Sequence, residues 1–313
     1  MVNTGLKENI SERWREAALS GDLALAWSIS DEFRKAKLDS SEQERWCRSL
    51  WDGSPIDGRN VLIRCWRGLG DAIHFIRYAP LVREKARELV VESPRALTPL
   101  FRTVAGIDRL VGLDSGYRDK RDSVEIESTE LPYLFRTTLD SIPCAVPYLR
   151  APALCRRANR GMLSIGICWS SGPFDARRTM RLSEFESLRE LPDAHFFQLQ
   201  RGPALEEIAG VSIAFQNPDD RSMDLLKTAS LIDSLDVIVT VDTMVAHLAG
   251  ALGKRVYLLL HTDADWRWFR KREDSPWYPT MRILRQSQTG SWNQVVEGLK
   301  KLVSRLIRPT PYH

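Results

Sequence analysis

The 313-residue chain lacks the marks of several large protein classes. No apolar run approaches the roughly 18 residues of a membrane-spanning helix. The opening MVNTGLKENISERW has no apolar stretch of the secretory-leader kind. Charge of one sign is not in excess: 45 Lys and Arg against 41 Asp and Glu leave a formal net charge of +4. That balance gives no footprint for nucleic acid, although a pI near 8.8 weakly favours an acidic ligand such as a phosphate. Cysteine is scarce: Cys47, Cys65, Cys144, Cys155 and Cys168 form no C-x-x-C pair and are odd in number. Reduced, structural thiols of a cytoplasmic protein are the expectation. No His/Cys cluster has metal-ligand spacing, and no Asp-x-Asp pair is expected in the cleft loops. No metal and no cofactor are therefore expected.

What is present is an ordinary globular composition, 43% hydrophobic and 27% charged. The length fits about two domains. Residues 1–50 read as a helical hairpin. Ser11 is placed to cap a first helix carrying Ile10, Trp14, Ala17 and Ala18, and a Ser20-Gly21-Asp22 break precedes a second carrying Leu23, Trp27, Ile29 and Phe33. One such unit cannot bury its own face, so it should pack on the rest of the chain. From residue 51 the pattern alternates strand and helix: VLIRCW (61–66), a helix from Ala72 to about Lys85, ELVVE (88–92), a helix opened by Pro94, and RLVGL (109–113). Prolines 132, 143, 147 and 152 with Arg156-Arg157 mark a linker near residue 155. A second series follows in 156–313, with strands at 163–169, 195–200, 211–215, 237–241, 256–260 and 282–285. Helices are expected at 183–191, from Pro203, at 222–234 and at 243–252, and an amphipathic helix closes the chain at 291–306. The result is an α/β chain of two Rossmann-like halves with parallel sheets. Ligands of such folds bind at the carboxyl ends of the strands, in a cleft between halves.

Two strand-to-helix turns carry candidate chemistry. The first is Gly68-Leu69-Gly70-Asp71-Ala72-Ile73. With Glu92 ending the next strand it approaches a dinucleotide fingerprint, which makes an NAD(P)-dependent oxidoreductase a rival reading. Ile73 replaces the third glycine, and Asp71 puts a carboxylate where a pyrophosphate needs bare amides. Asp71 is either a helix N-cap or a carboxylate free to take a proton, with His74 and Tyr78 at helical spacing from it. The second turn is VIVTVDTMVAHLAGALG (237–253). A strand ends in Asp242-Thr243 and a helix begins at once. The amides of Thr243, Met244 and Val245 are expected to offer an anion site, with His247 one turn further on. The alternative is a plain helix cap.

These residues carry a resemblance. G-L-G-D after the first strand and D-T-x-x-x-H-L-A-x-A-L-G after a late one resemble glycosyltransferase family nine, the ADP-heptose:lipopolysaccharide heptosyltransferases. The segments 51–63, 68–82, 197–203 and 265–286 are most similar to the branch that follows tetratricopeptide repeats in bacterial proteins. The resemblance spans about residues 50–306. It implies a GT-B fold, with an N-terminal acceptor domain at 51–155 and a C-terminal sugar-nucleotide domain at 156–313, and makes the hairpin a repeat remnant. It implies inverting transfer without a metal, from a nucleotide sugar to a hydroxyl of a glycan, lipid-linked or protein acceptor. By motif position Asp71 matches the general base. Asp242-Thr243 match the sugar-nucleotide site, and Gly68, Gly70, Gln200, Arg201, Met244, Val245 and His247 are the further candidates for it. A basic residue for the diphosphate falls among Arg177, Arg178 and Arg181, with Arg178 the choice. A GT-B relic that binds a nucleotide without turnover is the alternative from another class.

Trp266, Trp268 and Trp277 offer stacking surfaces or core packing. Arg267, Arg270, Lys271 and Arg272 read as a solvated run or a contact for an anionic acceptor or a membrane surface.

Overall fold

The computed structural model describes residues 3–38, 51–117, 123–154, 161–172 and 175–307. Arg156, Arg157, Cys47 and Cys155 lie outside them. The chain divides into two units, Met1–Cys144 with Ala264–Arg272, and Ala145–Asp263 with Glu273–His313. Segment 264–272, expected in the second half by its place in the chain, packs with the first.

The first unit opens on α1 (Asn3–Ser20) and α2 (Leu23–Leu38). Gly21 turns the chain with φ +91°, a left-handed conformation that glycine adopts without Cβ strain. Asp22 then caps α2, accepting the Leu25 N–H at 3.0 Å. Ser11 is not a cap: α1 already begins at Asn3, because Leu6, Lys7 and Glu8 are good helix formers and nothing in that stretch breaks the helix. The hairpin buries Ala18, Leu23, Ala26 and Ile29. Its Trp27 indole donates to the Thr137 carbonyl at 2.6 Å, pinning the hairpin to the α/β part of the unit.

That part is built on β1 (Asn60–Arg64), β2 (Glu88–Ser93), β3 (Arg109–Gly112) and β4 (Val124–Glu127), all parallel in the order β3-β2-β1-β4. Val61, Leu62 and Ile63 are fully buried, as a central parallel strand requires. Helix α3 (Leu69–Phe75) starts directly after Gly68 and runs through a 3₁₀ turn at Ile76–Tyr78 into α4 (Ala79–Lys85).

The second unit carries β5 (Leu163–Cys168), β6 (Ala194–Gln198), β7 (Val237–Val241), β8 (Arg255–Leu260) and β9 (Met281–Arg285). They form one parallel sheet in the order β6-β5-β7-β8-β9. Strands 61–66 and 237–241 thus lie in separate parallel sheets, as the two alternating series require. Its main helices are α5 (Leu225–Asp233), α6 (Met244–Ala251) and α7 (Asn293–Ile307). The expected helices at 183–191 and after Pro203 are 3₁₀, at Leu182–Glu190 and Pro203–Gly210. The apolar side of α7, Val295, Val296, Leu299 and Val303, closes a core with Ile165, Ile167, Val239 and Phe185.

The expected strand at 211–215 does not form; only Phe215 bridges to Phe196. Ile213 and Phe215 are buried, so the apolar alternation is real. The β6 edge beyond that bridge is taken by a side chain instead: Asn217 Oδ1 accepts the Gln198 N–H at 2.8 Å and Asn217 Nδ2 donates to the Gln198 carbonyl at 3.0 Å. A ladder cannot extend where an amide side chain already satisfies the edge.

Gly250 on α6 leaves room for a buried aromatic ring. A Cβ there would fall 2.4 Å from Tyr278 Cδ1, and Tyr278 is fully buried. Gly250→Ala should therefore destabilise the protein by about 1–3 kcal/mol despite alanine's better helix propensity. A fall of a few degrees in melting temperature is expected; an unchanged or raised value contradicts this packing.

Candidate functional site

In the second unit, β7 delivers Asp242 and Thr243 to the start of α6. Thr243 is the N-cap: its Oγ1 accepts the Val245 N–H at 3.1 Å and lies 3.2 Å from Thr240 Oγ1. The Val245 amide is thus occupied, which corrects the expectation that it faces a ligand. Arg178 Nη1 stands 3.6 Å from Asp242 Oδ2, an ion pair beyond hydrogen-bond length. Among the described residues the Arg178 side chain donates no hydrogen bond, and its Nε is shut off from solvent. A half-buried guanidinium with unspent donors therefore pairs with the carboxylate that ends β7.

The neighbouring arginines are placed differently. Arg177 is exposed and engages Asp175 at 2.9 Å and Asp263 at 3.0 Å. Hydrogen bonds from Arg177 hold the Asp175 carboxyl low, at about 2. Arg181 is exposed. Arg201 is held by the Gln200 carbonyl at 2.8 Å and Thr228 Oγ1 at 3.2 Å, with Asp220 at 3.5 Å. Gln200 is committed internally: its Oε1 accepts from the Ser170 amide at 2.9 Å and the Trp169 amide at 3.2 Å, and its Nε2 donates to the Arg201 carbonyl at 2.9 Å. It shapes the loop after β5. His247 is buried and its Nδ1 lies 3.0 Å from the Tyr278 hydroxyl. That contact ties the segment around Tyr278 to α6. The buried Cys168 thiol, 3.9 Å from Thr243 Oγ1, is pushed up to about 11 by burial, so it is not a nucleophile.

In the first unit, β1 ends at Arg64 and α3 begins at Leu69. Gly68 is the N-cap residue of α3, and Asp71 is its third residue rather than the cap. Asp71 Oδ2 accepts the Gly68 N–H at 3.2 Å, closing the first turn. The Gly68 amide that a dinucleotide pyrophosphate would need is therefore taken. Gly70 lies inside the first turn of α3. Glu92, the would-be ribose acid, is bound to Arg64 at 2.5 Å and to the Trp66 indole at 3.1 Å. Both contacts argue against the oxidoreductase reading.

Asp71 Oδ1 accepts from Arg267 Nη2 at 2.5 Å. Arg267 belongs to the run expected to be solvated, yet its side chain is only 13% exposed. Arg270 of the same run pairs with Glu16 at 2.7 Å. His74 is fully buried against Phe75, and Tyr78 is buried with its hydroxyl 2.8 Å from Thr137 Oγ1. Both are committed to the interior of the first unit. Trp268 and Trp277 are core residues, while Trp266 is partly buried against Trp14. Among the described residues the large exposed aromatic is Trp66, 51% accessible, with the Arg64 guanidinium 5.0 Å from its ring centroid.

The loop at the carboxyl end of β8 does hold an Asp-x-Asp sequence, Asp263-Ala264-Asp265, which corrects the expectation of none. Asp263 binds Arg177 in the second unit, and Asp265 binds Arg267 at 2.8 Å in the first. Each carboxylate is neutralised by its own arginine. Among the described residues no group of three or more His, Cys, Asp or Glu is placed to hold a metal ion.

No protein-family model matches the chain. It is 28% identical over 277 residues to Protein FlbA of Caulobacter vibrioides, an alignment covering 77% of this chain and 46% of that protein. The chain thus spans about half the length of the curated relative it matches. Its fold is similar to that of ADP-heptose LPS heptosyltransferase II of E. coli, with a TM-score of 0.54, 14% identity and coverage of 79% of this chain and 99% of that one. It is also similar to the glycosyl transferase family 9 structure from Veillonella parvula, with a TM-score of 0.51, 11% identity and coverage of 81% and 92%. The α/β fold with two parallel sheets, preceded by a helical hairpin, is the one the sequence resemblance implied. No helix among the described residues is long and apolar enough to cross a membrane.

Proposed function

We propose that the chain is an inverting, metal-independent glycosyltransferase that moves a sugar from a nucleoside-diphosphate sugar to a hydroxyl acceptor. Arg178 carries the reading. A partly buried guanidinium that spends no side-chain hydrogen bond among the described residues, set against Asp242 where β7 turns into α6, is a donor set for an oxyanion. The fold shared with a heptosyltransferase and a family 9 glycosyltransferase supports the same reading.

In this mechanism the second unit holds the diphosphate through Arg178 and the amides opening α6, with Thr243 shaping that turn and Arg201 adding charge. The acceptor oxygen forms its bond to the anomeric carbon while its proton passes to the Asp71 carboxylate. The bond from the anomeric carbon to the diphosphate oxygen breaks, and the nucleoside diphosphate leaves with the electron pair. Donors fixed where that negative charge grows act on the transition state. The acceptor is a hydroxyl of a glycan, a lipid-linked glycan or a protein, the setting is the cytoplasm, and the hairpin is a remnant of a repeat array. A second reading, a nucleotide-binding relic without turnover, is favoured by one observation: both Asp71 oxygens already accept a hydrogen bond.

Two variants separate the readings. Asp71→Asn should lower turnover by roughly 10²-fold or more, since a positioned base contributes about 10²–10⁴-fold, and leave nucleoside-diphosphate affinity nearly unchanged. Arg178→Gln should weaken that affinity by about 10- to 100-fold, the worth of a hydrogen bond to a charged group. The assay is release of nucleoside diphosphate from ADP-, UDP- and GDP-sugars, with affinity measured by calorimetry. Nucleotide binding with no turnover for any donor and acceptor tried favours the relic.

Turnover should also persist in excess EDTA. Activity lost to chelator and restored by magnesium or manganese contradicts the metal-free mechanism.

A further inference from the structure

We propose that Arg267 is a positioning residue for Asp71 and that the N-terminal hairpin, through Trp266, holds Arg267 in place. The inference rests on the reading of Asp71 as the base and adds to it the residues that aim the carboxylate.

Asp71 sits on the first turn of a helix, where a short side chain can turn toward the backbone or away from it. Both oxygens are held. Oδ2 accepts the Gly68 N–H at 3.2 Å and Oδ1 accepts Arg267 Nη2 at 2.5 Å. Two such contacts from different directions fix the plane of the carboxylate. A carboxylate has about four lone-pair sites, so each oxygen keeps capacity to accept an acceptor proton. The guanidinium is itself constrained on several sides. Asp265 Oδ1 accepts Arg267 Nη1 at 2.8 Å and the Arg267 N–H at 3.0 Å. The Phe75 ring centroid lies 5.0 Å from the guanidinium carbon and that of Trp266 lies 5.4 Å away. A planar, stacked, forked cation is a far more rigid support than a lysine would be.

The support continues into the hairpin. The Trp266 ring meets Trp14 edge-on at 5.5 Å and Trp27 at 6.4 Å. The Arg270 N–H donates to the Leu19 carbonyl at 2.9 Å, and its side chain pairs with Glu16. Helices α1 and α2 therefore grip segment 264–272 on both sides of Arg267. On this account the hairpin belongs to the catalytic apparatus. A carboxylate displaced by about 1 Å can cost roughly 10²-fold in rate.

The test uses the full chain and the same nucleotide-sugar panel. Arg267→Ala should lower kcat by about 10- to 100-fold while leaving KM for the nucleotide sugar and Kd for the nucleoside diphosphate within about twofold. Added guanidinium should restore part of the lost kcat, an outcome that a purely structural arginine would not give. Trp266→Leu should lower kcat in the same way but less. Should Arg267→Ala reduce the melting temperature, Arg267→Lys decides. Stability regained with kcat still low supports positioning, and stability and kcat recovering together make Arg267 a stabilising ion pair only, overturning the proposal. Full kcat in Arg267→Ala, with Asp71→Asn inactive, overturns the proposal and leaves the transferase reading standing. Full turnover in Asp71→Asn, or none in the unaltered protein with any donor, removes the reading of Asp71 as a base and this inference with it.

Discussion

The Asp71 carboxylate is the point to which much of the first unit is fitted. One oxygen closes the first turn of α3 against Gly68, and the other meets Arg267. Each contact has its own scaffold. The first exists because β1, buried on both faces, ends abruptly and passes into a helix within a few residues. The second exists because segment 264–272 is drawn onto the hairpin by Trp266 and Arg270. A helix-capping aspartate needs only the first scaffold. The second, with its stacked arginine and paired Asp265, is a larger investment in one side chain's orientation.

The second unit solves a different problem. A buried parallel strand, β7, hands the chain to α6, and the amides at the opening of that helix need partners. Thr243 satisfies one of them. Asp242 is buried beside Arg178, whose side chain donates no hydrogen bond among the described residues. Gln200 holds the facing loop through two amides, so the loop geometry does not depend on a ligand. The polar groups nearest the α6 start thus divide into those that build the turn and those with capacity left for an oxyanion.

Much of this was legible in the sequence. Long apolar runs such as VIVTV and VYLLL read directly as buried parallel strands, and the D-T turn marked the start of α6. The parts that were not legible depend on contacts distant in sequence. The strand at 211–215 has the right alternation but loses its ladder to the Asn217 side chain. Strand β4 is only four residues long, and its V-E-I-E pattern is hidden among prolines and turns. The basic run at 267–272 looks solvated because the carboxylates that neutralise Arg267 and Arg270, Asp71 and Glu16, lie 196 and 254 residues away. Trp268 and Trp277 could not be told from stacking residues by sequence alone, because their burial depends on the assembled core. Gln200 holds backbone of the loop after β5, a role that no local sequence pattern reveals.

The account centres on a diphosphate site where β7 meets α6, supported by Arg178. Hydrogen exchange monitored by mass spectrometry, with and without saturating ADP, UDP or GDP, tests this most directly. At least one nucleotide should slow exchange in residues 175–181 and 242–248, by roughly tenfold or more, and leave α1 and α2 unchanged. Protection confined to Gly68–Phe75 and the end of β2 would instead place the nucleotide on the first unit, as a dinucleotide-binding protein would, and contradict the account.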